Sequence, residues 1–175
     1  AALGYEVAHV GFSQWNGVAV LSRVGLDDVQ VGFPGQPTWS GGDADPALEA
    51  RALAATCAGV RVWSLYVPNG RALGDPHYAY KLEWFAALRA ALEAELGRHD
   101  QLVACGDFNV APTDDDVWDP KVFIGSTHVT PPERQALADL RALGLTDVIP
   151  KPMKGPHPFT YWDYRAGAFP KDQGM

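Results

Sequence analysis

The chain has 175 residues, 47% of them hydrophobic and 20% charged, with a formal net charge of −7 at pH 7. That balance is expected of one globular domain with its own core rather than a disordered tail. Apolar runs such as Gly17 to Leu21 and Val60 to Val67 are too short to span a bilayer, and no basic stretch followed by an apolar block opens the chain, so a cytoplasmic location is expected.

From Tyr5 to Val10 and from Gly17 to Leu21 the residues are β-branched or aromatic, which predicts two strands joined by the polar loop Ser13-Gln14-Trp15-Asn16-Gly17. The Asn-Gly step there favours a tight turn. Asp27 to Val31 predicts a third strand, and Phe33 to Pro46, rich in Gly, Pro and Asp, a loop. Ala50 to Thr56 and Val60 to Val67 predict a hairpin across Ala58-Gly59, its second strand apolar on both faces near its end. Asp75-Pro76 predicts a helix start, with Asp75 as N-cap and Pro76 at the first helical position, where its missing N–H costs nothing. Leu82, Phe85, Leu88, Leu92 and Leu96 then give one apolar face, and Gly97 the stop. A strand over Gln101 to Cys105 follows. Thr130-Pro131-Pro132-Glu133 predicts a capping box and a helix to Leu143, ending at Gly144. The order predicts an α/β domain with at least one mixed sheet over residues 1–175, with no internal repeat. Cys57 and Cys105 lie in no C-x-x-C pattern, which argues against a disulfide framework or structural zinc; both are expected to be buried small hydrophobes.

The negative charge, taken alone, disfavours nonspecific nucleic-acid binding, although a local basic patch suffices, and an acidic surplus also suits a divalent-metal site. Three segments carry candidate chemistry. In Val103-Ala104-Cys105-Gly106-Asp107-Phe108-Asn109-Val110 an apolar strand delivers an acid and an amide two residues apart, on one side if the chain stays extended. A carboxylate and carboxamide so placed can take a proton from a metal-bound water and orient a phosphate oxygen; equally, the same residues make a turn with side-chain-to-backbone hydrogen bonds. In Leu65-Tyr66-Val67-Pro68-Asn69-Gly70-Arg71, Tyr66 could offer its phenol to a phosphate, and Asn69 and Arg71 could bind backbone phosphates; the alternative is a strand tyrosine before an ordinary turn. In Phe159-Thr160-Tyr161-Trp162-Asp163-Tyr164-Arg165 four aromatics suit the apolar wall of a pocket for a flipped-out sugar, with Arg165 on a phosphate, or else a strand packing into the core.

These segments, with Trp15-Asn16-Gly17-Val18-Ala19 and Thr130-Pro131-Pro132-Glu133-Arg134, resemble the exonuclease III and abasic-site endonuclease branch of the endonuclease/exonuclease/phosphatase superfamily over nearly the whole chain. The resemblance implies a four-layered α/β sandwich, two mixed sheets face to face with helices outside, incomplete in this chain. It implies Asp107 as general base or acid and metal contact, Asn109 on the scissile phosphate or metal shell, and Tyr66 beside that phosphate. Asn69, Arg71, Trp162 at the abasic-sugar pocket, and Arg165 would contact DNA. Magnesium, or manganese in its place, would be the cofactor of a monomer acting on double-stranded DNA with abasic sites or 3′ ends, away from membranes.

In that family the principal metal-binding Glu lies upstream of Ala1, and an Asp and an Asp-His pair lie downstream of Met175. The chain is therefore expected to be the central part of a larger protein and inactive alone. His9, His77, His99, His128 and His157 share no motif with an acid and are expected to be surface or loop residues. Competing readings are a superfamily phosphatase or phospholipase, which has no use for the Phe159 to Arg165 segment in this form, and a non-catalytic binding module, against which the intact Asp107, Asn109 and Tyr66 weigh.

Overall fold

The structure, a computed structural model, describes residues 3–12, 14–40, 45, 47–149, 151–165 and 167–175. Two compact units are distinguished, Ala1–Pro68 with Ala79–Asn109, and Asn69–Tyr78 with Val110–Met175.

The first unit holds β1 (Glu6–Val10), β2 (Val18–Ser22), β3 (Asp27–Val31), β4 (Ala52–Cys57), β5 (Val60–Tyr66), β6 (Leu102–Asp107) and, from Ala79 onward, helix α1 (Pro76–Leu96). Strands β1 and β2 form a two-stranded antiparallel sheet, and the other four lie in the order β3-β4-β5-β6. Only the larger sheet is mixed: β3, β4 and β5 run antiparallel, whereas α1 carries the chain back so that β6 lies parallel to β5. The predicted β4–β5 hairpin forms across Ala58-Gly59, whose φ angles of 48° and 86° are those of the primed turn that matches strand twist. The Asn16-Gly17 step does not make such a turn. Val10 pairs with Val18, leaving a longer loop, and the Asn16 amide is drawn instead to Glu49 Oε1 (2.9 Å) and the backbone N–H of Ala50 (3.0 Å).

Alternation divides the larger sheet into two faces. Leu53 and Ala55 face Ala8, Val10, Val18 and Val20 of the β1–β2 sheet, with Leu26, Cys57 and Tyr66 at the margin of that cluster. On the other face Trp63 and Leu65 are buried, as are Trp84, Phe85, Leu88 and Leu92 of α1; Phe33 meets Trp63 and Trp84 edge-on, with centroids 6.2 and 5.1 Å away. These layers of sheet, sheet and helix are an α/β sandwich. The helix face also buries Lys81 and Glu95, which the apolar spacing did not predict. Glu95 accepts from Arg61 Nε (2.7 Å) and Trp63 Nε1 (3.3 Å), and Arg61 reaches the carbonyl of Asp28 (2.7 Å) and Gln30 Oε1 (3.0 Å). With both charges buried, the pair holds β3, β5 and α1 through geometry more than through net Coulomb gain.

Cys105 departs from expectation. Strand β6 is the last of its sheet, and Val103, Cys105 and Asp107 are exposed, while the Cys105 thiol donates to the carbonyl of Trp63 at 3.4 Å.

In the second unit, helix α2 (Pro131–Arg141) opens with the predicted capping box. Its Glu133 is fully buried and accepts from Thr127 Oγ1 (2.5 Å), the His128 N–H (2.9 Å), and the Thr130 N–H (3.1 Å) and hydroxyl (2.6 Å). Thr160 and Tyr161 donate backbone N–H groups to Met175, and short helix α3 (Ala168–Lys171) lies between. Among the described residues no helix is long and apolar enough to cross a membrane.

Candidate active site

The ends of β4, β5 and β6 bring polar side chains into one row. Tyr66 and Asp107 are register partners in the parallel β5–β6 ladder, so their side chains leave the sheet on the same face. On the other side of Tyr66, its N–H donates to the carbonyl of Arg51 at 2.8 Å, and the ladder continues as Val67 N–H donates to Asp107 O at 2.9 Å. Gly106 makes this pairing possible. Its φ is +135°, and a Cβ there would stand 1.9 Å from the carbonyl oxygen of Leu65.

Beyond Asp107 the strand does not stay extended, so Asp107 and Asn109 do not share a side by alternation. Asp107 Oδ1 accepts the Asn109 N–H at 2.8 Å, and Asn109 takes a left-handed φ of 52°. The turn that the sequence left open thus forms, and it keeps the amide beside the acid. Asn109 Nδ2 donates to Val67 O at 2.9 Å, and the ammonium of the fully buried Lys81 donates to Asn109 O at 2.6 Å. Tyr66, Asp107 and Asn109 therefore stand together at one end of the sheet.

On the β4 side of Tyr66 the row continues into further polar groups. Arg51, 7% exposed, stacks its guanidinium 4.9 Å from the centroid of the Tyr66 ring and donates from Nη1 to the Tyr66 carbonyl at 3.3 Å. Glu49 accepts from Arg51 Nε (2.6 Å) and Nη2 (3.2 Å) and from the Tyr80 hydroxyl (3.0 Å). Burial, with Glu49 beside it, pushes the Tyr80 phenol above its ordinary range, so it remains a donor. Burial also pushes the Cys105 thiol up.

The other expected contact residues belong to the second unit. Asn69 Oδ1 accepts the Arg71 N–H at 3.1 Å, and Asn69 Nδ2 lies 3.4 Å from His128 Nε2. Arg71, Val122, Phe123, Thr127 and His128 help line a cavity of about 420 Å³, and His128 also borders one of about 300 Å³ with Trp118, Tyr161, Asp163 and Met175. Of the aromatics in the segment, Tyr161 borders this smaller cavity, whereas Trp162 packs edge-on against Phe159 (6.3 Å) and Phe169 (5.2 Å). The Trp162 backbone forms an isolated antiparallel bridge with Gly174. Arg165 is exposed, its N–H bound to Asp163 Oδ1 (2.8 Å) and its Nε to the Tyr164 hydroxyl (3.1 Å).

One histidine departs from the expected surface or loop role: His77 is buried in α1 and accepts from Gly70 N–H at 3.3 Å. His128 lies in a turn as expected, but holds a φ of +81°, unusual for a residue with a side chain, at the border of both cavities. Neither burial nor backbone conformation carries a local sequence signal.

A hard divalent cation takes about six oxygen ligands. Asp107 and Asn109 offer part of such a shell, but among the described residues no group of three or more His, Cys, Asp or Glu stands ready to hold a metal. These residues do not make a metal centre by themselves.

Known proteins share this arrangement of strands. A Neisseria 3′ phosphatase, NExo, whose structure is described as bound to product DNA hairpin, superposes with a TM-score of 0.86 at 37% identity, over 99% of this chain and 65% of that one. An AP endonuclease from Archaeoglobus fulgidus gives 0.83 at 32% identity, with the same coverage of 99% and 65%. The exodeoxyribonuclease of Bacillus subtilis (strain 168) is 30% identical over 130 residues, 72% of this chain and 50% of the relative. DNA repair nuclease APEX1 of Danio rerio is 29% identical over 162 residues, 91% of this chain and 49% of its own length. The chain thus spans about half the length of these two curated relatives. The profile of the Endonuclease/Exonuclease/phosphatase family matches residues 2–175, and the chain belongs to that family.

Proposed function

We propose that the protein carrying this chain is a DNA-repair nuclease that hydrolyses phosphodiesters, removing nucleotides from 3′ ends and cutting at abasic sites. The observation that carries the reading is the row of Tyr66 and Asp107 on adjacent strand ends, with Asn109 folded back beside the acid. Asp107 would accept the proton of the attacking water, Asn109 would orient a phosphate oxygen, and the Tyr66 phenol would donate to another. Asn69, Arg71 and Arg165 would contact the DNA backbone, and Trp162, with Tyr161 beside it in the chain, would present the wall against a sugar.

The names of the relatives favour a nuclease over a lipid or sugar phosphatase, and the intact row argues against a binding module. Of the two activities, 3′-end processing has the greater support, since the Neisseria proteins described as a 3′ phosphatase and a 3′-5′ exonuclease are 37% and 38% identical to this chain, against 32% for the AP endonuclease. Magnesium or manganese, when bound, would neutralise charge that builds on the phosphate. Asp107 and Asn109 would supply part of its shell and the rest of the protein the remainder, so the chain alone is expected to be inactive. A monomer in the cytoplasm, away from membranes, fits this role.

The full-length protein with magnesium should trim recessed 3′ ends of a duplex and nick one carrying an abasic site. Asp107→Asn should lower turnover by about a hundredfold or more. Activity that survives EDTA, or an Asp107→Asn variant as active as the parent, would refute the mechanism.

A further inference from the structure

We propose that Arg51 is a positioning residue for the reaction, fixing the Tyr66 phenol against the row that ends in Asp107; this rests on the role assigned to Tyr66 above. Three contacts hold the tyrosine to this one residue. The Tyr66 N–H donates to the Arg51 carbonyl (2.8 Å), Arg51 Nη1 donates to the Tyr66 carbonyl (3.3 Å), and the guanidinium lies over the ring at 4.9 Å. A planar cation stacked on an aromatic face fixes ring orientation in a way that backbone pairing alone does not, because the ladder leaves the side-chain torsions open.

Arg51 is itself immobilised. At 7% exposure it is too enclosed to serve as a phosphate contact at the surface, and Glu49 grips it through both Nε and Nη2. Glu49 is in turn tied to the Tyr80 hydroxyl and to Asn16 Nδ2, which anchors the β1–β2 loop. An enclosed arginine paired with a half-buried carboxylate contributes little net stability compared with apolar residues of the same size, so their presence is better explained by the orientation they impose. Lysine at position 51 would keep the charge and lose both the fork and the stacking plane.

The test compares Arg51→Met, Arg51→Lys, Tyr66→Phe and the Arg51→Met/Tyr66→Phe double variant in the full-length protein on a duplex with a recessed 3′ end. Because Arg51→Met strands the Glu49 charge, the Glu49→Gln/Arg51→Met pair, which removes both charges, is measured beside it. The expected result is a fall in kcat of about tenfold for either Arg51→Met background with KM nearly unchanged, partial rescue by Arg51→Lys, and no more than about a twofold further fall when Arg51→Met is added to Tyr66→Phe. In ¹³C-tyrosine-labelled protein, the Tyr66 ring signal, assigned by its loss in Tyr66→Phe, should shift in Arg51→Met. Multiplicative losses in the double variant, or an unmoved ring signal, would overturn the positioning role. A moved ring signal with a fully active Tyr66→Phe would instead overturn the assignment of Tyr66 to the reaction, and the positioning role with it.

Discussion

Adding one methyl group at position 106 should both loosen the larger sheet and misplace the acid at its end. A Cβ on Gly106 would stand 1.9 Å from the Leu65 carbonyl oxygen and 2.9 Å from the Leu65 carbonyl carbon. Ordinary contact between such atoms is about 3.5 Å, so β5 and β6 must part by roughly 1 Å or more. A side chain at this φ of +135° adds strain of about 1–3 kcal/mol, and the hydrogen bond from Val67 to Asp107, the last rung beside the site, is lost at about 1 kcal/mol. With the overlap itself, the total reaches about 3–5 kcal/mol, a large fraction of the stability of an ordinary domain. Urea unfolding of Gly106→Ala measures it directly. Gly59→Ala is the control, since Gly59 also has a positive φ (86°) but meets nothing within 4 Å, and should cost only about 1 kcal/mol. In the full-length protein, a shift of about 1 Å at Asp107 should lower turnover on the order of a hundredfold. If Gly106→Ala proves no less stable than Gly59→Ala, the close approach of the two strands is not as described and the register of Tyr66 with Asp107 falls with it.

Glu95→Ala should destabilise by about 3–5 kcal/mol in chemical denaturation because it strands Arg61 in the core, whereas the Arg61→Met/Glu95→Leu pair should recover most of that loss. Thr130→Ala should cost about 1 kcal/mol as a lost helix cap, and Glu133→Ala more, about 2–4 kcal/mol, because it leaves the N–H groups of His128 and Thr130 unpaired in a buried site; thermal melts of the two variants decide the order. The raised phenol of Tyr80 binds its proton more tightly folded than unfolded. Its contribution to stability is therefore complete below about pH 10 and lost as pH rises through the folded value, and urea midpoints from pH 8 to 11 should fall less steeply in Tyr80→Phe. Cys105, although exposed, should react with a thiol reagent at pH 7 more slowly than glutathione, since burial of its sulfur pushes the thiol up; a faster rate would contradict that environment.

Much of the frame is legible in residue order alone. The α1 cap and its Phe85, Leu88 and Leu92 face, the Ala58-Gly59 hairpin and the α2 capping box follow from periodicity and turn chemistry that act within a few residues. Enclosed charges were not legible where hydropathy assigns Arg61, Lys81 and Glu95 to the surface and the partners Arg61–Glu95 and Lys81–Asn109 lie far apart in sequence. The candidate site was legible in its members and not in its geometry. Asp107 and Tyr66 meet only through the parallel register of β5 with β6, and Asn109 joins them through a left-handed turn rather than alternation. In the Phe159 to Arg165 segment, which is not a regular strand, no period tells which ring turns outward. Asn16 was misread for a related reason: a dipeptide that suits a hairpin was recruited by a carboxylate on another strand.

Adjacent strands of a sheet lie about 4.8 Å apart wherever no side chain crowds the ladder. Since Arg51, Tyr66 and Asp107 are carried on three successive backbones, the peptide lattice acts as a yardstick that sets their separations in advance. Exchanging one of these side chains alters what is offered at that rung while the backbone spacing beneath it stays, which gives a lineage room to redirect its chemistry on the same scaffold.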